Sequence, residues 1–226
     1  NRAEEWGFEV TINYKHNAFL PGAATFDVER GALKNISSVP WQTCTSIAKN
    51  SWGYTENNKF KSVRHVVCDL IDIVSKNGMM LLNIGPRADG TITDEETAVL
   101  LAMGKWLTVN GEGIYDTVPW KAFGEGRANV KEGFFQDNKE KGYTHKDFRF
   151  TYKNGCVYAF WMKPKNMNKV KIKSFKAVSQ DVIINRVEML GSGKALNFVR
   201  NKKYMQIELD SVPQGDLPVC FKIELG

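Results

Sequence analysis

The chain has 226 residues, 42% of them hydrophobic, and a formal net charge of +6. That supplies a packed core for one large or two modest domains, and no run reaches the roughly 18 apolar residues of a membrane-spanning helix. The charge is uneven, with 12 Lys+Arg against 15 Asp+Glu in residues 1–126 and 19 against 10 in residues 127–226; the basic half nevertheless reads as a solvated strand face rather than a nucleic-acid surface, because Lys169, Lys171 and Lys173 alternate with Val170, Ile172 and Ser174.

Asn1-Arg2-Ala3-Glu4-Glu5-Trp6 carries neither an initiator Met nor a basic-then-apolar leader. It reads as the middle of an amphipathic helix, so the expectation is that residues precede position 1 in the native protein. Val10–Tyr14 is a β-rich run, followed by a loop marked by Pro21-Gly22 and Arg30-Gly31. Thr43–Ala48 is a second candidate strand. Beyond it, Ser62 is placed to cap a helix in which Val63, Val66, Val67, Leu70, Ile71 and Val74 form one apolar stripe, and Asn77-Gly78 is placed to end it, with Gly in the left-handed position. His65 falls off the stripe and is expected at the surface.

Met79–Ile84 is a continuous apolar run broken only by Asn83, which fits a strand buried on both faces in a parallel sheet. Gly85-Pro86 ends it. Thr93-Asp94-Glu95-Glu96 is a capping box, in which Thr93 accepts from the Glu96 amide and Glu96 reaches back, and it opens a helix running to about Val109. Three strands alternating with helices before position 90 indicate α/β with parallel strands.

After Trp120 the pattern changes. Phe123–Gly142 is rich in Gly, Asn, Lys and Glu without a clear period, a linker with an early edge strand. Phe148, Phe150 and Tyr152 then alternate with Arg149 and Thr151, and Asn154-Gly155 leads into Val157–Trp161, a β-hairpin signature. Further strands are expected at Val170–Phe175, Val182–Leu190, Tyr204–Leu209 and Val219–Leu225, making an all-β sandwich. The four cysteines, Cys44, Cys68, Cys156 and Cys220, are widely spaced and form no C-x-x-C pair; they read as buried free thiols rather than a zinc or redox motif.

In α/β architectures ligands bind where strands end. The residues there are Asn13, Lys15 and His16, then Asp27, Glu29 and Arg30, then Asn50, Trp52 and Tyr54, then Asn83 and Arg87. They include carboxylates, cations and aromatics, but no Ser/His/Asp order, phosphate loop or His-rich metal spacing. Aromatic rings beside Asp or Glu suit a sugar, whose C–H face stacks on the ring while its hydroxyls meet charged groups.

Five blocks are more specific. Pro40-Trp41-Gln42-Thr43, Ser51-Trp52-Gly53-Tyr54, Leu81-Leu82-Asn83-Ile84-Gly85-Pro86 with Asp89-Gly90-Thr91-Ile92, Gly104-Lys105-Trp106-Leu107, and Val109–Tyr115 occur in that order. The series resembles the C-terminal part of the catalytic domain of α-L-fucosidases (glycoside hydrolase family 29), from about position 1 to Trp120. The resemblance implies residues 1–120 as the C-terminal portion of a (β/α)8-type barrel and residues 121–226 as an antiparallel β-sandwich domain. It also implies a retaining exo-glycosidase that removes terminal α-L-fucose by double displacement, with no cofactor and no metal.

By the same resemblance the nucleophilic Asp lies upstream of this chain, and the acid/base is Glu29, in the loop Phe26-Asp27-Val28-Glu29-Arg30-Gly31, with Asp27 as runner-up. A desolvated loop glutamate would start protonated, as an acid must; the plainer reading of Glu29 is a surface salt bridge with Arg30. Lys15 matches a basic residue that helps bind fucose, often Arg in other members. Trp52 matches an aromatic packing on the sugar ring, though a core tryptophan would look the same, and Trp41 and Tyr54 are further candidates. Gln42 stands where a Glu is common.

The implied partners are fucosylated glycans or glycoconjugates and the N-terminal remainder of the same protein, with homo-oligomerisation left open, and neither nucleic acid nor a membrane. A secreted, periplasmic or lysosome-like location follows from the resemblance alone. The competing reading is a non-catalytic carbohydrate-binding or structural fragment. Residues 1–120 are not expected to be stable alone, since half a barrel exposes two strand edges.

Overall fold

The computed structural model describes residues 5, 7, 10–128, 130–177 and 182–226. The helix expected over the opening residues lies almost wholly outside these. Four strands form a parallel sheet in sequential order: β1 (Asn13–Tyr14), β2 (Thr25–Asp27), β3 (Trp41–Ser46) and β4 (Gly78–Asn83). The sequence suggests only three strands here. β2 is three residues long, too short to display a period, and the first strand shrinks to two residues, with Val10 and Ile12 exposed.

The sheet is open, with β1 and β4 at its edges. Its two faces differ. Met80 packs beneath the helices, whereas Met79 and Leu81 are 49% and 55% exposed. The burial of β4 on both faces expected from its apolar run is therefore not seen: the described residues cover only one side.

Helix α1 (Val63–Val74) crosses from β3 to β4, and Ser62 Oγ caps it by accepting from the His65 amide at 3.1 Å. Asn77, with φ of 71°, takes the left-handed turn that follows, and not Gly78. Glycine is required at 78 for another reason: a Cβ there would stand 2.6 Å from the Trp41 ring. Helix α2 (Asp94–Asn110) is capped by Thr93, which accepts from Glu96 N at 3.2 Å. The Glu96 carboxylate does not return to the Thr93 amide. It accepts instead from Gly85 N at 3.0 Å, tying the helix start to the turn after β4.

The second half is a sandwich of two antiparallel sheets. The larger has the order β5 (Val118–Glu125), β6 (Phe148–Lys153), β7 (Cys156–Trp161), β12 (Val219–Leu225), β9 (Ile184–Met189). The smaller has the order β10 (Phe198–Arg200), β11 (Met205–Glu208), β8 (Lys169–Ile172). Phe148, Phe150, Trp161, Ile172, Met205, Ile207 and Phe221 fill the space between them. Asn154 and Gly155, at φ of 48° and 78°, make the β6–β7 turn with both central residues left-handed, as the Asn-Gly pair predicts. Lys169, Lys171 and Lys173 point to solvent as expected. β10 has no signature in the sequence, again because three residues carry no period.

The larger sheet is buried on both faces. Its second face, with Tyr158, Phe160, Met162 and Cys220, packs on Val67 and Ile71 of α1 and Trp106 of α2. Hence α1 is buried nearly all round, and His65 is buried rather than at the surface. The polar side of α1 meets buried charges: Asp72 lies 2.6 Å from Arg149 Nε, 2.8 Å from Lys76 Nζ, 3.2 Å from Lys141 Nζ and 3.1 Å from the Tyr143 hydroxyl. Despite burial, which alone would raise it, these cations hold the Asp72 carboxyl far below the usual carboxylate range. The described residues of 130–147 are thus no free linker but a strap laid along α1 and β3. The four cysteines are free thiols, three buried and Cys44 half-buried.

Candidate active site

All four parallel strands point their C-terminal ends at one depression of about 570 Å³, lined by Lys15, Glu29, Cys44, Trp52, Leu81, Leu82, Asn83 and Ile84. The topology explains the gathering. Lys15 follows β1 directly, Glu29 stands two residues past β2, Cys44 lies within β3, and Asn83 is the last residue of β4. Parallel strands in sequential order bring residues 68 positions apart in the chain onto one rim.

Lys15 Nζ donates to Glu29 Oε2 at 2.7 Å, with the two side chains 38% and 22% exposed. Partial burial works against the lysine's charge, but the bond to Glu29 and the negative groups around it leave its pKa raised. Burial and the hydrogen bond to Asp27 push the Cys44 thiol up, so it stays protonated at neutral pH. Asp27 is not in the pocket. Its carboxylate accepts from the Cys44 amide at 3.0 Å and from Gln42 Nε2 at 3.4 Å, bracing β2 against β3.

Glu29 does not pair with Arg30. The Arg30 side chain turns inward and donates to the carbonyls of Ala48, Lys49 and Ser51 at 3.1, 3.2 and 2.9 Å. Its guanidinium lies 4.5 Å from the centroid of the Trp52 ring. Asn83 Nδ2 donates to Trp52 O at 2.7 Å. Trp52 is therefore held from two sides with its ring half-exposed at the pocket wall, which a core tryptophan would not be. Tyr54 lies just beyond the lining, its ring 5.4 Å from the Arg87 guanidinium. Gly85 allows this loop close approach, since a Cβ there would stand 2.9 Å from Tyr54 N.

Trp41 is elsewhere. It begins β3, at the end of the sheet opposite the pocket, is 1% exposed, and donates from Nε1 to Lys76 O at 3.0 Å while packing on Val28 and Ile73. The substrate contact expected of it is replaced by a core role. The residues that sequence reasoning undervalued are Arg30 and Asn83, which fix Trp52, and Asp137, which meets Arg30 at 3.5 Å. Asn83 closes an apolar strand and so stood out; Asp137 sits in an aperiodic stretch that gave no local signal.

Chemically, the group offers one carboxyl able to give and take a proton, one ammonium, one aromatic face and one amide. A second carboxyl at the roughly 5–5.5 Å spacing of retaining glycosidases is missing from the lining residues. Among the described residues no group of three His, Cys, Asp or Glu is placed to hold a metal.

Two family models match the chain: alpha-L-fucosidase over residues 7–112 and alpha-L-fucosidase C-terminal domain over residues 141–224. The tissue alpha-L-fucosidase of Rattus norvegicus is 31% identical over 183 residues, which is 79% of this chain and 35% of that protein. The plasma alpha-L-fucosidase of Pongo abelii is 30% identical over 219 residues, 95% of this chain and 42% of that protein. The chain thus spans well under half the length of these relatives. Among solved structures, a Thermotoga maritima alpha-fucosidase in complex with fucose superposes with a TM-score of 0.69 at 24% identity, over 92% of this chain and 44% of that one. The alpha-L-fucosidase isoenzyme 1 from Paenibacillus thiaminolyticus gives a TM-score of 0.70 at 20% identity, over 89% and 45%. At these identities the superpositions establish a shared fold.

Proposed function

Because the chain belongs to the α-L-fucosidase family, we propose that it forms the acid/base side of a retaining α-L-fucosidase acting on terminal α-L-fucose of glycans. In this reading residues 1–120 are the C-terminal portion of a (β/α)8-type barrel and residues 121–226 a β-sandwich domain. The uncovered face of the parallel sheet, with Met79 and Leu81 in solvent, becomes barrel interior once the N-terminal part of the protein closes over it. The observation that carries the proposal is the Lys15–Glu29 pair at 2.7 Å, set on the rim where four parallel strands end beside a half-exposed tryptophan.

The chemistry runs in two displacements. An aspartate supplied by the rest of the protein attacks the anomeric carbon as the glycosidic C–O bond breaks, and the Glu29 carboxyl gives its proton to the departing oxygen. The resulting glycosyl ester is cleaved by water. Its oxygen bonds to the anomeric carbon as Glu29 takes its proton, the aspartate leaves as carboxylate, and Glu29 is again an acid. Lys15 binds a fucose hydroxyl and exchanges its bond to Glu29 for that contact when substrate enters. The Trp52 ring covers the apolar face of the sugar, with Tyr54 bordering the aglycone side. Among the described residues lining the pocket Glu29 is the one carboxylate, so in this reading the 226-residue chain by itself turns over nothing.

The test is release of phenol from phenyl α-L-fucoside by the full-length protein. Glu29→Ala should lower kcat by about 10²- to 10⁴-fold, the range of general acid/base catalysis. On an aryl fucoside whose leaving group needs no protonation, added azide should restore turnover as fucosyl azide. If Glu29→Ala turns over phenyl fucoside at the wild-type rate, the assignment is wrong. If the full-length protein binds fucosylated glycans without cleaving any, it is a binding module.

A further inference from the structure

We infer that the strap of residues 133–137 is a positioning element for the catalytic pocket, acting through Asp137 on Arg30 and so on both Glu29 and Trp52; this rests on Glu29 being the acid/base. Five backbone hydrogen bonds join the strap to the segment that carries the glutamate. Gly133 and Ala32 exchange two, at 3.0 and 3.3 Å, Phe135 N donates to Glu29 O at 3.0 Å, and Gln136 N and Asp137 N both donate to Arg30 O, at 2.8 and 3.0 Å. Four of the five donors come from a stretch more than a hundred residues downstream, and they add to the bracket that β3 makes, where Val28 N donates to Gln42 O at 2.9 Å and Arg30 N to Cys44 O at 2.8 Å.

The side chains continue the clamp. Asp137 Oδ2 accepts from Lys61 Nζ at 2.6 Å and from Thr45 Oγ1 at 2.5 Å, and lies 3.5 Å from Arg30 Nη1. It is buried, so these are strong, desolvated contacts. Arg30 then reaches the carbonyls of Ala48, Lys49 and Ser51 and the face of Trp52. Its backbone has φ of 47°, a left-handed conformation that a long side chain adopts only where its surroundings over-determine it. One aspartate thus fixes the guanidinium that orients the sugar-stacking ring, and its own amide fixes the carbonyl next to the acid/base. The β-sandwich reaches the active site through this route, because the strap is the segment between β5 and β6.

A residue that only holds the fold together would slow all substrates alike. A residue that aims the acid must hurt poor leaving groups more than good ones, because only the former need the proton. Full-length Asp137→Asn keeps the shape but weakens the pull on Arg30 and Lys61. It should lower kcat/KM for phenyl α-L-fucoside by about tenfold or more, since small misplacements of reacting groups are costly, and that for 2,4-dinitrophenyl α-L-fucoside by less than about threefold. Arg30→Lys should fail to restore the wild-type ratio, because an ammonium cannot span three carbonyls and a ring. Equal losses on both substrates, or none, would overturn the proposal.

Should Asp137→Asn not fold, Gly31→Ala gives the same reading. Its Cβ would collide with Gly133 O, parting strap from loop without removing a charge, and the same leaving-group dependence is expected. Glu29→Ala run alongside separates the two ideas. If it is inactive on phenyl fucoside and rescued by azide while Asp137→Asn and Gly31→Ala show no leaving-group effect, only the positioning role falls; if Glu29→Ala is unimpaired, the acid/base assignment falls with it.

Discussion

Two polar clusters, one on the rim where the parallel strands end and one behind α1, are built for different ends. On the pocket side, Lys15 and Glu29 make a single pair at 2.7 Å, each partly in solvent. Behind α1, Asp72 is fully buried and touched by Lys76, Lys141, Arg149 and Tyr143. A single, wet pair costs little to break, so its members are free to exchange partners with a ligand. A dry, four-partner carboxylate cannot be disturbed without stranding cations, so it fastens α1 to the strap and to β6. Charge count alone does not separate function from architecture here; the number of partners and access to water do.

The comparison is broken most directly at Asp72. Asp72→Ala should destabilise the protein by about 3–5 kcal/mol, the cost of leaving buried charges unpaired, seen as a lower urea midpoint. An unchanged midpoint would mean that water already screens the cluster. The tryptophans give a second contrast. Trp41→Ala should cost about 3–5 kcal/mol through the cavity it opens, with KM unchanged in the fraction that folds. Trp52→Ala should cost about 1 kcal/mol or less yet raise KM for aryl fucosides several-fold. If the two exchange behaviours, the pocket has been placed at the wrong end of the sheet.

A smaller effect should appear with pH. Burial lowers the pKa of His65, and the nearby Asp69, with Oδ2 3.4 Å from Nε2, only partly offsets this. A folded-state value below the unfolded 6.5 means that the neutral ring is favoured by folding. The associated stability is therefore full above pH 6.5 and is lost as pH falls through the folded value. Asp72 has the same sign, but its loss lies at far lower pH. Urea midpoints should thus decline between pH 7 and pH 5 in the wild type and decline less in His65→Gln; equal slopes would remove His65 from the account.

Much of this was legible in the sequence, and the failures share a cause. α1, α2, the β6–β7 hairpin and β12 follow from period, caps and turn residues, all of which act within about ten positions. Strand ends and a family resemblance point to Lys15, Glu29 and Trp52, and the fold brings them to one rim. What stayed hidden depends on contacts between distant segments. His65 looks exposed because its helix has a clear stripe, but the stripe's polar complement is covered by β6 and the strap. Asp137 sits in an aperiodic run whose order comes from Arg30, Lys61 and Thr45, none of them local. Trp41 stands in one of the blocks that carry the family resemblance, yet strand direction places it at the far end of β3 from the pocket.

Lys15→Met carries the comparison to its smallest expected energy. The pair it removes is 2.7 Å long but partly hydrated, and exposed ion pairs contribute about 0–1 kcal/mol, so the urea midpoint should hardly move. Methionine keeps the aliphatic stem that lies over the rim, so packing is preserved. Function should respond far more than stability. With the ammonium gone, the fucose hydroxyl it would hold is left to water, and KM should rise about tenfold or more, as expected when a charged hydrogen bond is lost. Lys15→Arg should recover most of it, since the cation is retained at the same strand end. A midpoint drop as large as that of Asp72→Ala, with KM intact, would mean that Lys15 and Glu29 belong to the architecture after all, and that the pocket's chemistry must be sought in other side chains.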